Sequence, residues 1–204
     1  MSPNVIYLAS RSPRREELLR QLGVDFESLL LREAPGRPRD VAEETRDGEP
    51  VLHYVERIAR TKATIGWQRM LRRQLPPRPV LGADTEVELD GIIFGKPADA
   101  ADATRMLRLL SGRTHNVLTA VAFCMDQQIV AEVSTSAVTM REISRDEIEH
   151  YVATGEPLDK AGAYAIQGRA AALVSRIEGS YSGVMGLPLY ETASLLARIG
   201  FAVL

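Results

Sequence analysis

The sequence predicts a mixed α/β fold: a strongly twisted sheet with flanking helices. Three observations carry that expectation. Strand-like apolar runs are interspersed with helical stripes along the chain, as crossover units require. In "EVELDGIIF" an Asp90-Gly91 step separates two alternating segments, a hairpin signal that adds an antiparallel pair to the crossovers. With 204 residues, 45% of them hydrophobic, the chain is long enough for one substantial core. The expectation is a single domain over residues 1–204, arranged as two lobes around a central cleft.

Residues 4–9 read as an apolar strand. Ser12 then has the chemistry of an N-cap, Pro13 fits the first helical position, and Leu18, Leu19 and Leu22 give helix 13–22 its apolar stripe. A strand at 25–31 leads into "REAPGRPRDVAEETRDGEP", a polar loop or short helix extending to about residue 50. Helix 51–73 follows, and "RRQLPPRP" separates it from a strand at 79–83. After the hairpin, helix 98–110 stops at Gly112. "THNVLTAVAFCM" and "QQIVAEVSTSAVTMREI" are long strands, the second alternating from Val130 to Met140. Helix 145–153 opens with a capping box of Ser144 and Glu147 and ends at Gly155. A glycine-rich stretch from 155 to 186, with short strands near 173–177, precedes helix 188–199 and a short terminal strand.

Composition excludes several classes. A net charge of −2 gives no global attraction to nucleic acid or an anionic membrane, so any anion site is built locally. The single cysteine, Cys124, rules out an internal disulfide and a cysteine-based zinc site, and it fits a reducing compartment. No apolar stretch approaches the roughly 20 residues that span a bilayer, and "VIYLA" is too short for a signal core, so the expected location is the cytoplasm. "ASRSPRRE" after the first strand has no glycine, which excludes the dinucleotide-binding fingerprint, and there is no P-loop. His53, His115 and His150 form no zinc motif, and no Gly-x-Ser-x-Gly elbow occurs.

The first helix raises the question of function. Arg14 and Arg15 occupy a first turn whose free N–H groups already carry partial positive charge. Two readings stand on these residues alone: Ser10, Ser12, Arg14 and Arg15 cradle a phosphate, or the arginines are solvated and pair with carboxylates such as Glu16 and Glu17. In "YVERIARTKATIG" Lys62 continues the stripe of Val55, Ile58 and Ala59, either snorkelling to solvent or facing a groove. Asp84 ends the apolar run of "PVLGADTEVEL", where open α/β sheets place ligands, or it is a turn former. Lys96 in "FGKPAD" says little by itself. In "TGEPLDKAGAYAIQGRAA" the amide of Gln167 offers a donor and an acceptor, the equipment for reading a base edge. Anion clamps, one placed acid and a polar reading loop share a theme: a nucleotide.

The set "LASRSPRREELLRQLG", "VLGADTEV", "GKPADA", "LSGRTHNVLTAV", "EPLDKAGAYAIQG" and "GSYSGVMGLPLYET" resembles the Maf family of nucleoside triphosphate pyrophosphatases, in order and over nearly the whole chain. The resemblance implies a fold of the inosine triphosphate pyrophosphatase type and hydrolysis of nucleoside triphosphates to monophosphate and diphosphate. It also implies a divalent metal cation, Mg2+ or alternatively Mn2+ or Co2+. By resemblance Asp84 is the proton acceptor, and Ser10, Arg14, Arg15, Lys62 and Lys96 contact substrate. Arg14, Thr85 and Gln167 match the positions tied to substrate choice, and "DKAGAYAIQG" looks like the members acting on dTTP and UTP. Physically, Gln167 can satisfy both the carbonyl and the N–H of a uracil or thymine edge, whereas a purine has to displace it. Asp84 and Glu33 are the expected metal ligands. Modified pyrimidine nucleotides such as pseudo-UTP or 5-methyl-UTP are alternative substrates, and a non-hydrolysing nucleotide-binding regulator linked to cell division is the alternative function. A homodimer is the default assembly for an enzyme of this size.

Overall fold

In the computed structural model, the described residues are 5–32, 40–126, 128–201 and 203. They form β1 (Val5–Leu8), α1 (Pro13–Gln21), β2 (Asp25–Ser28), α2 (Val51–Arg72), β3 (Val80–Leu89) and β4 (Ile92–Phe94). Next come α3 (Ala100–Leu110), β5 (Thr114–Met125), β6 (Gln128–Met140) and α4 (Arg145–Ala153). Three short 3-10 turns, β7 (Val174–Glu178), α5 (Tyr181–Met185) and α6 (Leu189–Arg198) complete the order. The strands make one seven-stranded sheet ordered β2-β1-β3-β5-β6-β7, with β4 on β3. β1 pairs in parallel with β2 and β3, across the α1 and α2 connections. The β3/β4 and β6/β7 pairs are antiparallel, which makes the sheet mixed, as expected. Among the described residues no helix is long and apolar enough to cross a membrane.

By internal contacts the chain divides into two compact units. Unit 1 comprises Met1–Asp84, Thr119–Val133 and Gly186–Leu204; unit 2 comprises Thr85–Leu118 and Ser134–Met185. Unit 1 buries Ile6 and Leu8 of β1, Leu18 and Leu19 of α1, and the stripe Val55, Ile58, Ala59, Ala63 and Met70 of α2. In unit 2 Phe94, Met106, Leu107, Leu110, Tyr151, Val152 and Tyr164 belong to one apolar cluster.

Local chemistry explains the boundaries. Asp90 and Gly91 both take positive φ, 54° and 80°, the pair that a tight hairpin turn between twisted strands requires. The capping box at Ser144 and Glu147 is formed. Four expectations need correction. The Ser12 side chain makes no capping bond; the Ser12 N–H instead donates to Ser10 Oγ at 3.1 Å. β2 stops at Ser28, not 31, because β1 ends at Leu8, its register partner there. β3 is one unbroken strand through Asp84, so that aspartate ends nothing. Phe201 and Val203 lie outside any strand, since the Phe201 N–H is taken by the Leu196 carbonyl at the end of α6. The serine-rich "GSYSGVM" carries α5, with Ser180 Oγ accepting the Gly183 N–H at 3.0 Å.

Candidate active site

Unit 1 assembles a charged corner around β3. Helix α2 lies against this strand with nothing between the backbones at Gly82: a Cβ there would stand 2.4 Å from the Ala59 carbonyl oxygen and 2.5 Å from the Ala63 nitrogen. Glycine inside a strand commonly marks such an approach. The approach carries Lys62, continuing the buried stripe of α2, to Asp84. Lys62 Nζ donates to Asp84 Oδ1 at 2.7 Å and lies 2.6 Å from Glu43 Oε1. Asp84 is buried, and its Oδ2 has no hydrogen-bond partner among the described residues. Burial acts to lower the Lys62 pKa, but the charges of Asp84 and Glu43 outweigh it against opposition from Arg15, and the net shift is upward. Lys62 is therefore a fixed cation at neutral pH.

The turn from β1 into α1 supplies the second half of the corner. Leu8 is level with Leu81, so Ser10 lies beside the stretch of β3 that leads into Asp84. Arg15 Nε donates to the Gly186 carbonyl at 2.9 Å and its Nη1 to Ser10 Oγ at 3.2 Å. Glu16 engages Arg20 and Ser28. The Arg15 guanidinium thus turns toward Ser10, and its charge reaches Lys62. Arg14 is half-buried in the same turn. Ser10, Arg15, Lys62 and Asp84 are accordingly gathered in unit 1.

Glu43 is the member that sequence reasoning missed. It reaches Lys62 because the loop carrying it is clamped to α2. Arg57 grips Glu49 through two hydrogen bonds of 2.6 Å and donates to the Glu44 carbonyl at 3.0 Å. The Arg57 hydrogen bond is the main reason that the Glu49 pKa falls to about 2. Glu33, expected as a metal ligand, lies outside the described residues. The available signal was the acidic pair Glu43 and Glu44 at the end of the basic, proline-rich insertion.

Thr85, Lys96 and Gln167 belong to unit 2. Lys96 is exposed on the turn after β4, and the Gly162 N–H donates to the Gly95 carbonyl at 3.1 Å, which ties the glycine-rich loop to that turn. Lys160 pairs with Asp159. Below the loop His115 Nε2 and the Tyr164 hydroxyl share a 2.7 Å hydrogen bond, both residues buried. Burial drives the His115 pKa down to about 4, so the ring is neutral at pH 7. Gln167 itself is exposed.

The family model described as Maf-like protein matches residues 5–199. The chain belongs to the Maf family. Curated relatives agree over almost the full length. A dTTP/UTP pyrophosphatase of Aromatoleum aromaticum is 58% identical over 197 residues, covering 96% of each chain. That of Nitrosomonas europaea is 54% identical over 200 residues, covering 98% of this chain and 97% of the relative. That of Dechloromonas aromatica is 53% identical over 196 residues, covering 96% and 98%. Among solved structures, the Staphylococcus aureus Ham1 protein aligns with a TM-score of 0.47 at 15% identity, over 96% of this chain and 97% of that one.

In this Maf chain the donor set limits what metal chemistry fits. Among the described residues no group of three or more His, Cys, Asp or Glu side chains is placed to hold an ion. An all-protein cage, of the kind zinc or calcium takes, is not built from them. The buried Oδ2 of Asp84 is a hard oxygen donor of the kind that would suit a divalent cation such as Mg2+.

Proposed function

We propose that this protein hydrolyses dTTP and UTP to the monophosphate and diphosphate, by attack of water on the α-phosphorus. One observation carries the reading: a buried aspartate with one oxygen engaged by Lys62 and the other turned to no protein partner among the described residues, in a corner that also holds Arg15. The relatives named dTTP/UTP pyrophosphatase support the substrate assignment.

The residues divide the work. The Arg14 and Arg15 side chains, the Ser10 hydroxyl and the N–H groups opening α1 bind and orient phosphate oxygens, which replaces the cost of two cations in a first helical turn by a gain. Lys62 orients Asp84 through its hydrogen bond to Oδ1 and neutralises charge that grows on the phosphate in the transition state. Asp84 Oδ2 takes the proton of the attacking water, or it would hold a divalent cation, with the Glu43 carboxylate as a second acid linked to it through their shared Lys62. When bound, such a cation, Mg2+ above all, supplies charge neutralisation on the phosphate oxygens. Lys96 adds a cation for the polyphosphate, Thr85 and Arg14 tune substrate choice, and Gln167 reads the pyrimidine edge.

The test is Asp84→Asn, assayed for diphosphate release from dTTP, UTP, GTP and modified pyrimidine triphosphates with Mg2+, Mn2+ and Co2+. Turnover by the variant is expected to fall by about a thousandfold or more while its melting curve stays two-state. Near wild-type hydrolysis by Asp84→Asn refutes the assignment. Tight nucleotide binding by the native chain with no diphosphate under any metal makes it a regulator instead.

A further inference from the structure

Gln167 stands at the tip of a tight turn in unit 2. The Gly168 N–H donates to the Ala165 carbonyl at 3.0 Å, residues 162–166 are all buried, and Gln167 is the first side chain of this stretch to emerge. An amide discriminates one base edge from another only if the backbone beneath it is fixed to within about half an ångström. Glu156 supplies that fixation. Its Oε1 accepts the Tyr151 hydroxyl at 2.8 Å, and its Oε2 accepts the Arg169 N–H at 3.2 Å. The same carboxylate presses on Gly168, where a Cβ would stand 2.4 Å from Oε1. One side chain therefore ties the two residues after Gln167 to Tyr151, a buried residue of α4.

We propose that Glu156 is a positioning residue for base selection: it holds the turn that presents Gln167, and it touches neither base nor phosphate. The inference rests on the reading of Gln167 as the group that recognises the pyrimidine edge. Glu156→Ala removes the tie. Gly168→Ala forces the carboxylate off it, since the carboxylate is the movable end of the clash, so the two variants converge on one phenotype. Glu156→Gln preserves the tie, because its Oε1 accepts from Arg169 and the Tyr151 hydroxyl rotates to accept from its amide.

The experiment measures kcat and KM for dTTP, UTP and GTP, with melting curves, for the native chain, Gln167→Ala, Glu156→Ala, Glu156→Gln, Gly168→Ala and the Glu156→Ala/Gly168→Ala pair. Gln167→Ala and Glu156→Ala are each expected to raise the dTTP and UTP KM about tenfold, leave kcat within about threefold, and narrow the preference over GTP. Glu156→Gln is expected to restore KM to within about twofold, Gly168→Ala to match Glu156→Ala, and the double variant to be no worse than either. A lower melting temperature in Glu156→Ala or Gly168→Ala with unchanged KM and preference overturns the proposal. If Glu156→Ala does not fold, Gly168→Ala and Glu156→Gln decide on the same criteria. Unchanged KM and preference in Gln167→Ala overturn the reading of Gln167 itself, whatever the Glu156 variants do.

Discussion

Unit 1 holds its chemistry by charge, unit 2 by neutral packing around a few hydrogen bonds. In unit 1 one ammonium is shared by two carboxylates, with a guanidinium in electrostatic range and helix backbone pressed on strand backbone at Gly82. In unit 2 the loop bearing Gln167 rests on a neutral histidine, on Tyr164 and Tyr151, and on one carboxylate. The difference follows from what each would handle. A polyphosphate is bound by charges that already exist and need only be redirected, so ion pairs make a suitable resting state. A base edge is recognised by the direction of hydrogen bonds, so its reader needs stiff surroundings more than charge. Variants that remove charge in unit 1 should therefore change catalysis first, and variants that loosen unit 2 should change selectivity or stability first.

Lys62→Met gives the largest effect and the sharpest test of the first half. The Asp84 and Glu43 carboxylates lose their common cation, and like charges then oppose each other in the corner. Turnover of dTTP, measured as diphosphate release, should fall by about a hundredfold to a thousandfold. Near wild-type turnover would mean that the corner does not need its shared ammonium.

The same substitution placed in both units comes next. Gly82→Ala drives a methyl into the backbone of α2, which cannot yield without shifting the helix. Overpacking of that kind costs about 3 kcal/mol or more where backbone must move. At Gly168 the obstacle is the end of a glutamate side chain, so Gly168→Ala should cost about 1 kcal/mol. Urea denaturation of the two variants makes the measurement. Equal losses would break the contrast between a backbone contact and a movable one.

These positions also show what the sequence makes legible. Helix α2 was readable because Val55, Ile58 and Ala59 recur at helical spacing, and Lys62 could be singled out only because it interrupts an apolar face. The hairpin at Asp90-Gly91 and the box at Ser144 are local chemistry, and both formed. The extent of β2 was not readable, because it is set by the length of β1, its partner. Nor was Glu43, which reaches the corner through an Arg57 clamp that local periodicity does not encode. Ser10 accepts from Arg15 in the structure, but the division of hydroxyls between Ser10 and Ser12 depends on backbone geometry within the turn, which the sequence does not display.

His115 provides a pH test confined to unit 2. Its folded-state pKa of about 4 lies below the ordinary 6.5, so the unfolded chain binds more protons between those values. The stabilisation is complete above pH 6.5 and is lost as pH falls toward 4, by a total on the order of 3 kcal/mol. His115→Gln keeps an amide donor for Tyr164 and has no proton to take up. Urea midpoints at pH 7, 5.5 and 4.5 should fall less steeply for the variant than for the native chain. Parallel curves would mean that the acid sensitivity lies elsewhere.

Glu49→Gln is the smallest perturbation, and it asks whether the charged corner depends on its loop. The hydrogen bond from Arg57 holds the Glu49 carboxyl near a pKa of about 2, well below the ordinary 4.5. Its contribution is therefore present above pH 4.5 and disappears as pH falls through 2, so native and variant stability curves should converge at the acid end. At neutral pH the amide keeps one acceptor for Arg57 and loses the two-pronged grip, which frees the loop carrying Glu43. Lys62 would then bind Asp84 without a competing carboxylate, and kcat/KM for dTTP should change by about twofold to fivefold while the preference for dTTP over GTP stays fixed. A shift in that preference would show that the loop of unit 1 takes part in base selection, and the division of labour between charge and stiffness would not hold.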